Sequence, residues 1–204
     1  MDIALRNIVK KQLLWISLAA ISMFFASMLS AFIVEKADVG NWQEISLPVF
    51  TFNVGVQAID WYYVSFDVGY FVISTAIIIL SSLLLFLIKP QLKKGNSIFS
   101  LVFIVFILGI LFSYFQIKGW EELTNQGVYL TGAGSNVAGS FLYILTLTHL
   151  LHLVGGLVGL CISTIKSKQN LYSIDNYLGL ELTSIYWHFL TVLWIILFCF
   201  LKFY

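Results

Sequence analysis

The chain has 204 residues, 60% of them hydrophobic and only 10% charged, with a mean hydropathy of +0.94 and a formal net charge of +1. A water-soluble domain carries roughly 25% charged residues, so this composition excludes one and points to a bilayer as solvent. The near-neutral balance also excludes a nucleic-acid partner, which needs a basic patch.

Five apolar runs, about 13–34, 67–88, 98–117, 138–163 and 183–203, reach the roughly 20 residues that cross a hydrocarbon core. Inside lipid the backbone must satisfy its own hydrogen bonds, so each run predicts a helix. The short alternating strands of a transmembrane barrel are not present. The predicted fold class is an all-α integral membrane bundle of five transmembrane helices, in a single membrane domain covering 1–204.

Span one follows Arg6, Lys10 and Lys11 and is longer than the roughly 7–15 apolar residues of a secretory signal, so it reads as an uncleaved first span. Ser22, Ala26 and Ser30 give it a small-residue stripe of the kind that meets another helix. An outer loop over 35–66 follows, with Trp42, Trp61, Tyr62 and Tyr63 suited to the membrane interface. Residues 47–56 partly alternate and predict a short hairpin turning near Asn53. Spans two and three are joined through Lys89, Lys93 and Lys94, and spans four and five through Lys166 and Lys168. Eight of the eleven basic residues thus fall on one side, which predicts a cytoplasmic N-terminus and a periplasmic C-terminus.

The last two spans carry the three histidines. His149 and His152 lie one turn apart on span four, with Gly155 and Gly159 beyond them, and His149, His152, Gly156, Gly159 and Ser163 follow helical spacing. Ser184, His188 and Thr191 do the same on span five, with Glu181 at its mouth as an interfacial or interhelical contact. A histidine in a bundle can hydrogen-bond to the next helix, ligate a metal or haem iron, or handle protons. The first three spans hold no histidine, and no Cys–His or Glu-x-x-His spacing accompanies these, so a structural hydrogen-bonding role is expected, with no catalytic and no metal-ligating residue. Cys161 and Cys199 sit in apolar runs and read as free core or lipid-facing residues.

The run from His149 to Gly156, preceded by Ser140-Phe141, resembles the penultimate span of subunit III of haem–copper terminal oxidases. Glu181 followed by Tyr186-Trp187-His188-Phe189 and Trp194 resembles the last span of that family. Gln116 through Trp120 resembles the segment closing its preceding span, and Met23-Phe24-Phe25-Ala26 matches a run in span one. The likeness covers nearly the whole chain and fits the short five-span bacterial form.

The resemblance implies a subunit of the bacterial inner membrane without redox centres of its own. Haem and copper would belong to a catalytic subunit I, accompanied by a subunit II and structural phospholipid. The complex would reduce dioxygen with electrons from cytochrome c or a quinol and pump protons. His149, His152, Gly155, Gly159, Glu181, Tyr186, Trp187, His188, Trp120 and Gln116 become the expected structural, subunit or lipid contacts. Two positions depart from the family pattern: Ile21 and Thr191 stand where the family often carries a carboxylate, which argues against proton handling by this chain. The outer loop is long for the short form and reads as a docking element for a cytochrome c domain or another respiratory complex. The rival from another class is an independent membrane enzyme or small transporter using the histidine face.

Overall fold

A computed structural model describes residues 3–41, 69–94, 97–125, 130–131, 137–172 and 177–203. The chain runs through α1 (Ile3–Asn41), α2 (Gly69–Phe86), the short α3 (Ile88–Lys93), α4 (Phe99–Asn125), α5 (Val137–Lys168) and α6 (Leu178–Phe203). Among the described residues, five of these helices are long and apolar enough to cross a membrane. The helical elements of the described residues agree with the all-α class read from the apolar runs.

Side-chain contacts fix the direction of each helix. Gln116 of α4 meets Ser74 of α2, while Phe112 and Trp120 of α4 meet His149 and Thr146 of α5. Gly159 lies against Thr183 of α6, and Trp194 of α6 reaches back to Thr75. Neighbouring helices in this circuit are therefore antiparallel. Helix α1 lies outside it, against α5 and α6, with Lys11 beside Glu181 and Phe32 beside Phe200. This arrangement gathers the basic N-terminus of α1, the α2–α4 connection and the end of α5 at one end of the bundle.

The buried seams alternate in steps of three and four. On α4 they are Val102, Val105, Gly109, Phe112, Gln116, Gly119 and Leu123. On α5 they pass through Leu142, Thr146, His149, Leu153, Gly156, Leu160, Ser163 and Ser167. That period keeps one stripe of a helix facing its neighbours, as in left-handed bundles. It also explains why the helices outrun the apolar runs. Span three continues past Lys118 because Gly119 and Leu123 carry its seam onward, and span four continues through Ser167 for the same reason. Span five begins early enough to bury Leu180.

Helix α1 also extends beyond its predicted end, so 35–41, expected as loop, are helical. The rest of that loop, with the predicted hairpin over 47–56, lies outside the described residues. The break between α2 and α3 has a local cause: Pro90 offers no N–H to the Phe86 carbonyl. Leu87 turns instead, its N–H bonding the Leu84 carbonyl at 3.1 Å.

The expectation for the small stripe of α1 needs correcting. Ser22, Ala26 and Ser30 are exposed, and α1 is held by Leu18, Phe25 and Phe32 at seven-residue spacing. Only 17% of its apolar window is buried, against 28–39% in the other four spans. Large side chains that fill the α5–α6 groove have won over small ones that would permit close approach.

Helix α5 closes with a Schellman motif. Asn170 has φ 53°, its N–H bonds the Ser167 carbonyl, and the Leu171 N–H reaches the Lys166 carbonyl, both at 3.1 Å. Asn170→Val, β-branched in left-handed backbone, is expected to cost about 1–2 kcal/mol, whereas Asn170→Gly should leave stability unchanged or raise it slightly. Thermal melts of the solubilised chain check this.

Candidate functional site

Helix α2 is rich in Ile, Leu and Phe but carries two hydroxyl pairs one heptad apart, Ser74-Thr75 and Ser81-Ser82. Each hydroxyl meets a different polar side chain. Gln116 Nε2 donates to Ser74 Oγ at 2.8 Å, and Trp194 Nε1 donates to Thr75 Oγ1 at 2.9 Å. Trp187 Nε1 donates to Ser81 Oγ at 3.0 Å, and Ser82 Oγ lies 2.6 Å from His188 Nδ1. Trp187 and Trp194 are themselves seven residues apart, so two turns of α6 repeat the same contact along α2. Sequence reading missed this ladder; paired hydroxyls in an otherwise apolar span were the available signal.

Glycine makes room for the indoles. A Cβ on Gly109 would stand 2.6 Å from Trp187 Cη2, and one on Gly156 would stand 3.1 Å from Leu190 Cδ1 and Trp187 Cε3. Gly159 is similarly close to Thr183, at 3.3 Å. Gly155 faces outward and has only the Tyr186 hydroxyl near, at 3.6 Å.

The three histidines have three different environments. His149 is 1% exposed, between Trp194 (ring centroids 5.2 Å) and Phe112 (6.1 Å). Neither of its ring nitrogens meets a hydrogen-bond partner among the described residues, so the hydrogen-bonding role expected for it is replaced by aromatic packing. Three residues along α5 is a rotation of about 60° short of a full turn, which takes His152 out of the core toward Phe25 of α1, 5.8 Å away. His152 Nδ1 donates to the Thr148 carbonyl at 2.8 Å, and the Tyr186 hydroxyl donates to the His152 carbonyl at 3.0 Å. His188 faces α2 and stacks on Phe86 at 4.2 Å. The three imidazoles thus lie in three separate surroundings, and among the described residues no group of three or more metal-type side chains is gathered.

The remaining expected residues serve mostly as internal contacts. Gln116 and Trp187 are buried, and Trp120 Nε1 donates to Thr146 Oγ1 at 3.1 Å. Glu181 pairs with Lys11 at 2.8 Å, their side chains 30% and 42% exposed. Such a pair contributes under about 1 kcal/mol. Glu181→Lys is expected to loosen α1, and Lys11→Glu in the same chain should restore it; cysteine cross-linking between α1 and α6 measures both. At the two positions where the family often carries a carboxylate, Ile21 packs against the cluster of Phe25, Leu145, Leu193 and Leu197, while Thr191 donates to the Trp187 carbonyl at 3.0 Å.

Comparison with known proteins completes this picture. The family model described as cytochrome c oxidase subunit III matches residues 7–204. The chain belongs to that family. It is 28% identical over 188 residues to the probable cytochrome c oxidase subunit 3 of Nocardia farcinica, covering 86% of this chain and 78% of the relative. Identity to cytochrome c oxidase subunit 3 of Rhipicephalus sanguineus is 33% over 109 residues, 53% of this chain and 40% of that protein. Cytochrome bo(3) ubiquinol oxidase subunit 3 of Buchnera aphidicola is 29% identical over 133 residues, 63% of this chain and 66% of the relative. With five helices long enough to span and this family, the chain is a multi-pass membrane protein whose relatives are named as oxidase subunits.

Proposed function

We propose that this chain is the accessory, non-redox subunit III of a proton-pumping haem–copper terminal oxidase in a bacterial cytoplasmic membrane. The observation that carries the reading is the subunit III match over almost the whole chain. The interior supports it, because the buried imidazole, indole and amide groups are spent on aromatic packing and on hydroxyls of α2. Haem and copper belong to a partner catalytic subunit, accompanied by subunit II. Relatives named as cytochrome c and ubiquinol oxidase subunits leave both cytochrome c and a quinol as candidate donors.

The chain's work is to support assembly, hold structural phospholipid and stabilise the catalytic subunit. The end that gathers Lys10, Lys89, Lys93 and Lys166 faces the cytoplasm, following the bias of basic residues to that side. Affinity purification of the tagged chain in mild detergent tests the proposal, with a reduced-minus-oxidised spectrum and mass spectrometry of what accompanies it. Haem bands and a many-span partner are expected, and a colourless solitary chain would overturn the reading. His149→Ala and His188→Ala should reduce assembly while leaving the haem spectrum of whatever complex still forms unchanged.

A further inference from the structure

Three of the four inward hydroxyls of α2 give their hydrogen to their own helix: Ser74 and Thr75 to the Phe71 carbonyl, and Ser81 to the Ile78 carbonyl. Ser82 differs, since it meets no carbonyl acceptor among the described residues and lies 2.6 Å from His188 Nδ1. Its hydrogen goes to Nδ1, and the ring hydrogen of the neutral imidazole then sits on Nε2. The stack on Phe86 holds the ring plane. His188 is half-buried, and its Nε2, unlike both nitrogens of His149, is open to the surface with no partner among the described residues. Ser184, one turn nearer the start of α6, is also half-buried, and its hydroxyl meets no partner among the described residues.

Two fixed points set the depth of this rim. Glu181, paired with Lys11, precedes His188 by seven residues, about 10 Å along α6 at ~1.5 Å per residue. Lys89 lies three residues beyond Phe86, the ring on which His188 stacks. A bilayer of ~40–45 Å holds a hydrocarbon core of ~30 Å, which leaves roughly 5–8 Å for each headgroup layer. With Lys11, Glu181 and Lys89 in that layer, the His188 ring stands where acyl esters meet hydrocarbon, and Ser184 stands between it and the phosphates. Charge at this end is unbalanced. Lys89, Lys93 and Lys94 are exposed, and residues 69–94 hold no acid. Glu181, the one acid among the described residues at this end, is taken by Lys11.

We propose that the α2–α6 rim from His188 to Lys89 holds one anionic phospholipid, with its phosphate on Lys89 and an acyl-ester carbonyl accepting from His188 Nε2–H. Phosphate and ester oxygens are the acceptors a bilayer offers at these two depths, and a lysine stem reaches from apolar surface to the phosphate layer. The unpaired charges of Lys89, Lys93 and Lys94 favour a headgroup of net negative charge over a zwitterionic one. Leu83 and Phe86 of α2 and Val192 of α6, all exposed, then carry the acyl chains. Ser184 is placed to hydrogen-bond the glycerol region, and Ser82 and Phe86 are positioning residues that set the tautomer and aim of the ring. This inference rests on one part of the proposed function, the holding of structural phospholipid, and gives that lipid a place and a charge.

The test uses whatever complex purifies with the tagged chain, placed in phosphatidylcholine nanodiscs with a trace of phosphatidylglycerol that bears a diazirine near its glycerol esters. Light should label peptides of the α2–α6 rim, and the same diazirine on phosphatidylcholine should label them several-fold less. Lys89→Gln is expected to cut the phosphatidylglycerol label about fivefold, the weight of one lysine at an anionic surface. His188→Phe, which keeps the ring stack but removes both nitrogens, should cut it about threefold, and His188→Gln should restore much of that loss. Lys166→Gln, at the end of α5, should leave the rim label unchanged. Equal rim labelling by the two lipids would overturn the proposal, as would an unchanged label in Lys89→Gln or a rim that neither lipid labels because protein covers it. Should His188→Phe fail to accumulate in membranes, Lys89→Gln decides, since that side chain is exposed. Haem in the same sample reports separately on the oxidase reading. Rim label without haem upholds the lipid site while that reading fails, and haem without rim label overturns the lipid site alone.

Discussion

Trp187→Ala should be among the most damaging single substitutions in the bundle interior. The indole is fully buried, touches the positions of Gly109 and Gly156 on two other helices, and donates to Ser81 on a third. Aromatic-to-Ala changes cost about 3–5 kcal/mol in water-soluble cores. In lipid the transfer of the ring out of water drops out, leaving packing and the hydrogen bond, about 2–3 kcal/mol. Trp187→Phe keeps most of the ring and should cost about 1 kcal/mol, because Ser81 retains its bond to the Ile78 carbonyl. Thermal unfolding of the detergent-solubilised chain, followed by its remaining tryptophan fluorescence, separates the two. Equal effects would mean that the hydrogen bond, and not the ring volume, holds α2, α4, α5 and α6 together.

Gly109→Val probes the same junction from the opposite side. Its Cβ alone would stand 2.6 Å from Trp187 and 2.7 Å from Leu157 Cδ2. The indole cannot retreat easily, since it is tied to Ser81 and flanked by Gly156 on its other side. Overpacking of this kind costs about 1–3 kcal/mol, with higher values where backbone must move. The decisive measurement is a double-mutant cycle. Trp187→Phe shortens the ring at the point of collision, so it should be less costly, or even favourable, in a Gly109→Val background, giving a coupling of about 1 kcal/mol or more. Additive effects would show that Gly109 does not serve to admit Trp187.

Much of the architecture was legible because lipid imposes a plain rule: an apolar run of sufficient length has to be a helix. The grouping of basic residues then ordered the helix ends, and the contacts place those ends together. What the runs did not reveal was where polar composition stops mattering. Gly119, Leu123 and Ser167 keep a buried period going where hydropathy falls, so α4 and α5 extend farther than their apolar segments. The stripe on α1 misled for a related reason: small residues permit contact but do not require it, and Phe25 and Phe32 claimed the groove.

The site was legible in part. Tyr186, Trp187 and His188 stood out as a motif, yet their roles depend on partners in another span, and nothing local to α6 identifies Ser81 or Ser82. His149 and His152 looked equivalent by spacing. A rotation of about 60° was enough to separate an imidazole sealed between Phe112 and Trp194 from one that leans on α1.

The thin seam of α1 bears on how the protein is made. Helix α1 finds its neighbours in α5 and α6, which are synthesised after α2 and α4. Until then Leu18, Phe25 and Phe32 have only lipid to touch, and the segment must persist in the bilayer on hydropathy alone. Insertion and association are therefore separated by the translation of α2, α3 and α4. The bundle closes only once α6 has been made.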